Sequence, residues 1–142
     1  MFEVYLNVYD IMADSKPILS RSISTLLRNT GIYHTAVMID GWEFYYGQRV
    51  VCRFGYMQLP LKYSGFMGNC YLNNQQINEI LNRLSAKYNH LSYNLISHNC
   101  NNFTDELLFY LVGGKLPSWV NRSDRYARSL CNTMNKINYM FS

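Results

Sequence analysis

Leu95-Ile96-Ser97-His98-Asn99-Cys100-Asn101-Asn102-Phe103-Thr104-Asp105-Glu106-Leu107 decides the fold. Cys100, Phe103, Leu107 and Leu111 recur at helical spacing, so the stretch reads as a helix opening near Ser97 or Asn99 and running to Val112. Gly113-Gly114 supplies its C-terminal stop. The apolar stripe turns the Cys100 thiol towards the packed side, where a free cysteine is an ordinary small core residue. Two features point beyond that role. Cys100 falls in the first turn, where unpaired N–H groups and the helix dipole favour a thiolate. It also stands among Ser97, His98, Asn99, Asn101 and Asn102, odd company for a purely structural cysteine.

A second stretch, Gly31-Ile32-Tyr33-His34-Thr35-Ala36-Val37, reads as a strand that carries a histidine. The strand is expected over Ile32 to Ile39, and Asp40-Gly41 after it is a two-residue hairpin signal, because a type I′ turn needs positive φ at both central positions. Trp42 to Tyr46 is then the return strand. That register pairs Ile39 with Trp42, Val37 with Phe44 and Ala36 with Tyr45, and sets His34 opposite Gly47, whose missing side chain leaves space beside the imidazole. His34 shares its face with Ala36, Met38, Glu43 and Tyr45. A thiol at a helix start and an imidazole on a facing strand are the two parts of a cysteine-nucleophile enzyme.

The other elements follow from the same patterns. Phe2 to Tyr9 alternates as a strand with one buried face, and Arg49 to Phe54 continues the sheet. Leu19 to Arg28 carries helical spacing that ends by Gly31. Gly55 to Asn69, with Pro60, Gly65 and Gly68, reads as a loop or a set of short strands. Asn73 followed by Gln76 predicts a capping box, with Ile77, Ile80, Leu81 and Leu84 forming an amphipathic helix to about Tyr88. A last helix is expected over about Ser118 to Met134, with a fraying tail over 131–142.

The 142 residues, 49% hydrophobic and 15% charged, suit one domain with its core over about 2–130, burying roughly two-thirds of its unfolded surface without disulfides. The net charge of +4 is scattered, and Arg122, Arg125 and Arg128 form a solvated helix face rather than a nucleic-acid patch. No apolar run approaches the length of a membrane span, and no signal peptide is evident. Cys52, Cys70, Cys100 and Cys131 lack CxxC pairing and are expected as reduced thiols in the cytoplasm or nucleus. His98, two residues before Cys100, faces another direction and reads as a surface or capping residue, and His90 as exposed. No ligand set for a metal is apparent, and no cofactor is expected. Trp42 and Trp119 read as packing residues, and Cys52 and Cys70 as structural or adventitious.

The run from His98 to Leu107 resembles the cysteine motif of the PPPDE family, permuted papain-fold peptidases that include the DeSI desumoylating and deubiquitinating isopeptidases. Ile32-Tyr33-His34-Thr35 resembles the family's histidine motif, Glu43-Phe44-Tyr45-Tyr46-Gly47 its aromatic strand, and Gly114 to Val120 the stretch after the cysteine helix. The resemblance covers Val4 to about Asn121, and histidine before cysteine is the order a permuted papain fold requires. It implies an α+β fold, a small antiparallel sheet packed against the nucleophile helix with flanking helices. It also implies a dyad of Cys100 as nucleophile and His34 as general base and then acid, cleaving the isopeptide bond between SUMO or ubiquitin and a substrate lysine, with the active groove near a homodimer interface. Backbone N–H groups at the start of the cysteine helix are the expected oxyanion donors. No third orienting residue is obvious, Tyr45 and Glu43 being the candidates. Where the family has a glycine-rich continuation, Gly47 is followed here by Gln48-Arg49-Val50-Val51-Cys52, which alters the loop shaping the substrate channel. Two other classes fit the same residues: an acyl-thioester hydrolase or acyltransferase, depalmitoylase-like or resembling the lecithin retinol acyltransferase group, and a silent binding module that keeps the fold.

Overall fold

The computed structural model describes residues 1–11, 33–94 and 98–120. Among the described residues, five strands and two helices follow in order: β1 (Phe2–Asp10), β2 (Tyr33–Ile39), β3 (Trp42–Tyr46), β4 (Val50–Phe54), β5 (Leu61–Cys70), α1 (Asn74–Lys87) and α2 (Cys100–Val112), then a 3-10 turn over Ser118–Val120. The strands form one antiparallel sheet in the order β4-β3-β2-β1-β5, so the architecture is α+β. The helix expected at Leu19 to Arg28, the three arginines, Cys131 and the tail lie outside the described residues, as does the chain beyond Val120 in the last predicted helix.

Alternation along β1 places Val4, Leu6 and Val8 on the face that receives the helices, where they join Val37, Ile39, Tyr46, Phe103, Leu107, Leu108 and Leu111 in one core. Ile77, Ile80 and Leu84 bring α1 into it. The Asn73–Gln76 capping box is present, with Asn73 Oδ1 accepting from the Gln76 N–H at 2.8 Å and the Gln76 side chain accepting from the Asn73 N–H at 2.9 Å. Gly113 closes α2 in the left-handed conformation at φ 66°.

Three expectations are corrected. First, β1 is buried on both faces from Leu6 to Tyr9, because Asn7 and Tyr9 on the second face meet a buried carboxylate, Glu43. Second, the segment read as irregular contains a ten-residue strand, β5, which satisfies the free edge of β1. Its glycines serve close contacts rather than a loop. A Cβ at Gly65 would fall 2.0 Å from the Tyr63 hydroxyl, and Gly68, at φ +144°, lies against Val112 of α2. Register shifts at Val4/Tyr5 and Val8/Tyr9 absorb the irregularity. Third, Ile39 pairs with Trp42 and Val37 with Phe44 as expected, around Asp40 and Gly41 at positive φ, but the ladder stops there. Ala36 does not pair with Tyr45, and His34 does not face Gly47. Gly47 turns instead, its N–H donating to the Arg49 carbonyl at 3.1 Å.

Candidate active site

The early end of the β2–β3 ladder positions the candidate nucleophile. Cys100 is the first residue of α2, and Asn99 before it is the N-cap, with Oδ1 accepting from the Asn101 and Asn102 N–H groups at 3.0 and 3.2 Å. The Asn102 side chain returns the bond, accepting from the Asn99 N–H at 2.8 Å. The next polar residues tie the helix start to β2. Asn101 Nδ2 donates to the Tyr33 carbonyl at 3.3 Å, Thr35 Oγ1 donates to Asn101 Oδ1 at 2.8 Å, and Thr104 Oγ1 donates to the Thr35 carbonyl at 3.4 Å. The asparagine-rich surroundings of Cys100 thus form a cap and a latch.

The latch sets the thiol, only 6% exposed, against β2 at Thr35, two residues past the last β2–β3 pair. Burial pushes the thiol up to about 11, against the pull of the Thr35, Asn101 and Cys100 backbone N–H groups, which favour its anion. The thiolate expected from the helix start is therefore outweighed by desolvation, and the sulfur keeps its proton at neutral pH. The S–H donates to Asn101 Oδ1 at 3.5 Å.

His34 is the neighbour of Thr35 on β2, and strand alternation puts its side chain on the other face of the sheet. Its ring lies edge-on to Tyr45 of β3 at 5.5 Å and is tilted over Tyr9 of β1 at 6.4 Å. Burial drives the imidazole down to about 4, so it too is uncharged at neutral pH. The sulfur thus meets the backbone N–H of Thr35, the residue that follows His34 on β2, and thiol and imidazole are both neutral.

Of the two candidate orienting residues, Tyr45 touches the imidazole. Glu43 instead accepts from Asn7 Nδ2 at 2.8 Å, the Tyr9 hydroxyl at 2.5 Å and the Met57 N–H at 3.0 Å. Tyr9, in contact with both Glu43 and the His34 ring, escaped the sequence reading because alternation alone marks it as an exposed strand residue. A residue with no sequence signal at all, Tyr93, also reaches the site, its phenol oxygen accepting from the Cys100 backbone N–H. His98 stacks on Tyr88 at 4.1 Å, and its Nε2 lies 3.1 Å from the carbonyl of Lys87, the last residue of α1, where it caps that helix end. Trp119 packs edge-on against Tyr33 and Tyr63, while Trp42 is 46% exposed beside Phe54. Cys52 is exposed, Cys70 is buried and His90 is exposed. Among the described residues no group of three or more His, Cys, Asp or Glu side chains could hold a metal ion, and no helix is long and apolar enough to cross a membrane.

Comparison with known proteins points the same way. A DeSI-like protein of Schizosaccharomyces pombe is 35% identical over 133 residues, 87% of this chain and 64% of that protein. A DeSI-like protein of Arabidopsis thaliana is 30% identical over 139 residues, 92% of this chain and 58% of that protein. The desumoylating isopeptidase 1 of Rattus norvegicus is 30% identical over 127 residues, 84% of this chain and 73% of that protein. The chain spans less than two thirds of the length of the first two. The family model described as the PPPDE putative peptidase domain matches residues 2–139, and with an antiparallel sheet crossed by a helix that opens on Cys100, the chain belongs to the PPPDE putative peptidase family.

Proposed function

We propose that the chain is a cysteine isopeptidase that removes a SUMO-type modifier from lysine, with Cys100 as nucleophile and His34 as general base and acid. The observation that carries the reading is the seat of the Cys100 sulfur at the open end of the β2–β3 ladder, facing three backbone N–H groups and one residue along β2 from an imidazole. The substrate class follows from relatives named desumoylating isopeptidase. A modifier tail ending in Gly-Gly also suits so enclosed a thiol, because only glycine lets the walls of a channel approach its backbone closely.

The protonation states shape the chemistry. A neutral imidazole is the form that accepts a proton, and a neutral thiol must lose its proton as it attacks rather than beforehand. The sulfur–carbon bond forms, the carbonyl π pair moves onto oxygen, and the thiol proton passes to His34. The tetrahedral species then collapses with cleavage of the carbon–nitrogen bond, and the buried imidazolium, more acidic than an exposed one, gives its proton to the leaving lysine amine. Water attacks the thioester with His34 again as base, and Cys100 is released. Contacts between such groups commonly tighten only when substrate is bound.

The test uses SUMO and ubiquitin bearing C-terminal electrophiles. The expected result is a covalent adduct with SUMO, abolished in Cys100→Ser and slowed in His34→Ala. No adduct with either modifier sinks the reading, and cleavage of a palmitoyl-thioester reporter in its place would move the assignment to deacylation.

A further inference from the structure

A helix leaves the N–H groups of its cap and first three residues without intrahelical partners. In α2 the capping box engages three of these four: the Asn99 N–H donates to Asn102 Oδ1, and those of Asn101 and Asn102 donate to Asn99 Oδ1. The expectation that the helix start as a whole offers oxyanion donors is therefore narrowed to the N–H of Cys100 itself. This N–H faces the sulfur. Its other acceptor is the phenol oxygen of Tyr93, which lies within electrostatic reach of the thiol. The Tyr93 ring is held from behind by Tyr46 at 4.9 Å, and Tyr46 is in turn anchored by its hydroxyl donating to the Asn89 carbonyl at 2.6 Å.

We propose that Tyr93 is a catalytic residue, the side-chain donor of the oxyanion hole, occupying with the Cys100 N–H the place where the substrate oxygen acquires its charge. This inference rests on the isopeptidase reading. In the free protein the phenol oxygen fills the acceptor position on the Cys100 N–H. When the sulfur adds to the carbonyl, the new oxyanion takes that position, and the Tyr93 O–H turns to donate to it. No atom is exchanged: the phenol lends a hydrogen bond and keeps its proton. Burial and the neighbouring Cys100 sulfur push the phenol up from its ordinary value, so the proton is present throughout the neutral range.

The experiment compares Tyr93→Phe with wild type on SUMO isopeptide-linked to a fluorescent lysine peptide. It also measures affinity for the SUMO C-terminal aldehyde, whose adduct with Cys100 places an oxygen in the oxyanion position, against affinity for unmodified SUMO. Losing one oxyanion donor is expected to lower kcat about a hundredfold with KM little changed, and to weaken the aldehyde while sparing unmodified SUMO. Retained kcat and an unchanged aldehyde preference would overturn the proposal and leave Tyr93 as a cap on the Cys100 N–H. Should Tyr93→Phe not fold, fluorotyrosine placed at 93 in the otherwise wild-type chain gives a second readout: its fluorine resonance shifts on aldehyde binding if the phenol meets the oxyanion, and stays put if it does not. Wild-type protein that cleaves no SUMO conjugate and takes up no aldehyde marks failure of the isopeptidase reading itself, and removes the Tyr93 role with it.

Discussion

At the residue scale, the two candidate catalytic groups are uncharged for the same reason, loss of water. His34 titrates near 6.5 when unfolded and near 4 in the fold. Its depressed value means that its contribution to stability is complete above about pH 6.5 and fades as pH falls towards 4. By pH 4 the loss is about 3 kcal/mol, because the unfolded chain binds a proton that the folded chain resists. Urea denaturation at pH 7 and pH 4 should show that loss in wild type and most of it abolished in His34→Gln. Equal losses in the two proteins would contradict the burial argument. The thiol is displaced upward, so alkylation of Cys100 by iodoacetamide in the free protein should keep accelerating up to about pH 11. A plateau near pH 8.5 would show instead a thiol that meets water.

At the scale of elements, the first turn of α2 is held by its asparagines. The Asn99 side chain satisfies two N–H groups of α2, and the Asn99 N–H donates a third bond to Asn102 Oδ1, so Asn99→Ala should cost about 1–2 kcal/mol. Because the same turn seats Cys100 against Thr35, the variant should also expose the thiol and bring its alkylation profile down towards the ordinary range. Unchanged stability with unchanged alkylation would mean that the Asn101 and Thr104 bonds to β2 hold the turn unaided. The Asn73–Gln76 capping box, the Gly113 stop and the hairpin turn were legible because each depends on neighbours within four residues. Strand β5 was not. Its glycines resemble loop punctuation until Tyr63 and Val112 are seen in the space that side chains would need.

At the scale of the whole molecule, a polar cluster on the face away from the helices joins distant parts of the chain. Ser64 Oγ donates to Asn7 Oδ1 at 2.7 Å, Asn7 and Tyr9 donate to Glu43, and the Met57 N–H donates to Glu43 at 3.0 Å. One carboxylate thus ties β1, β3 and the segment before β5 together, under the sheet that carries His34. Glu43→Ala removes the acceptor of the Tyr9 O–H, the oxygen acceptor of Asn7 Nδ2 and one of the two acceptors of the Met57 N–H, in a site that is 1% exposed, and should cost about 3 kcal/mol in denaturant titrations. A loss below about 1 kcal/mol would show that water replaces the carboxylate.

The sequence by itself determined the helix that opens on Cys100, the strand that carries His34 and the hairpin between Ile39 and Trp42, because periodicity and turn residues act locally. Motif resemblance named the same two candidate residues. Only the tertiary structure decided that β2 and β3 part where the sulfur sits, that both candidate groups are neutral, and that Tyr9 and Tyr93 belong around them. Desolvation and long-range hydrogen bonds depend on which distant segments exclude water from a side chain, and a period along the chain holds no record of that.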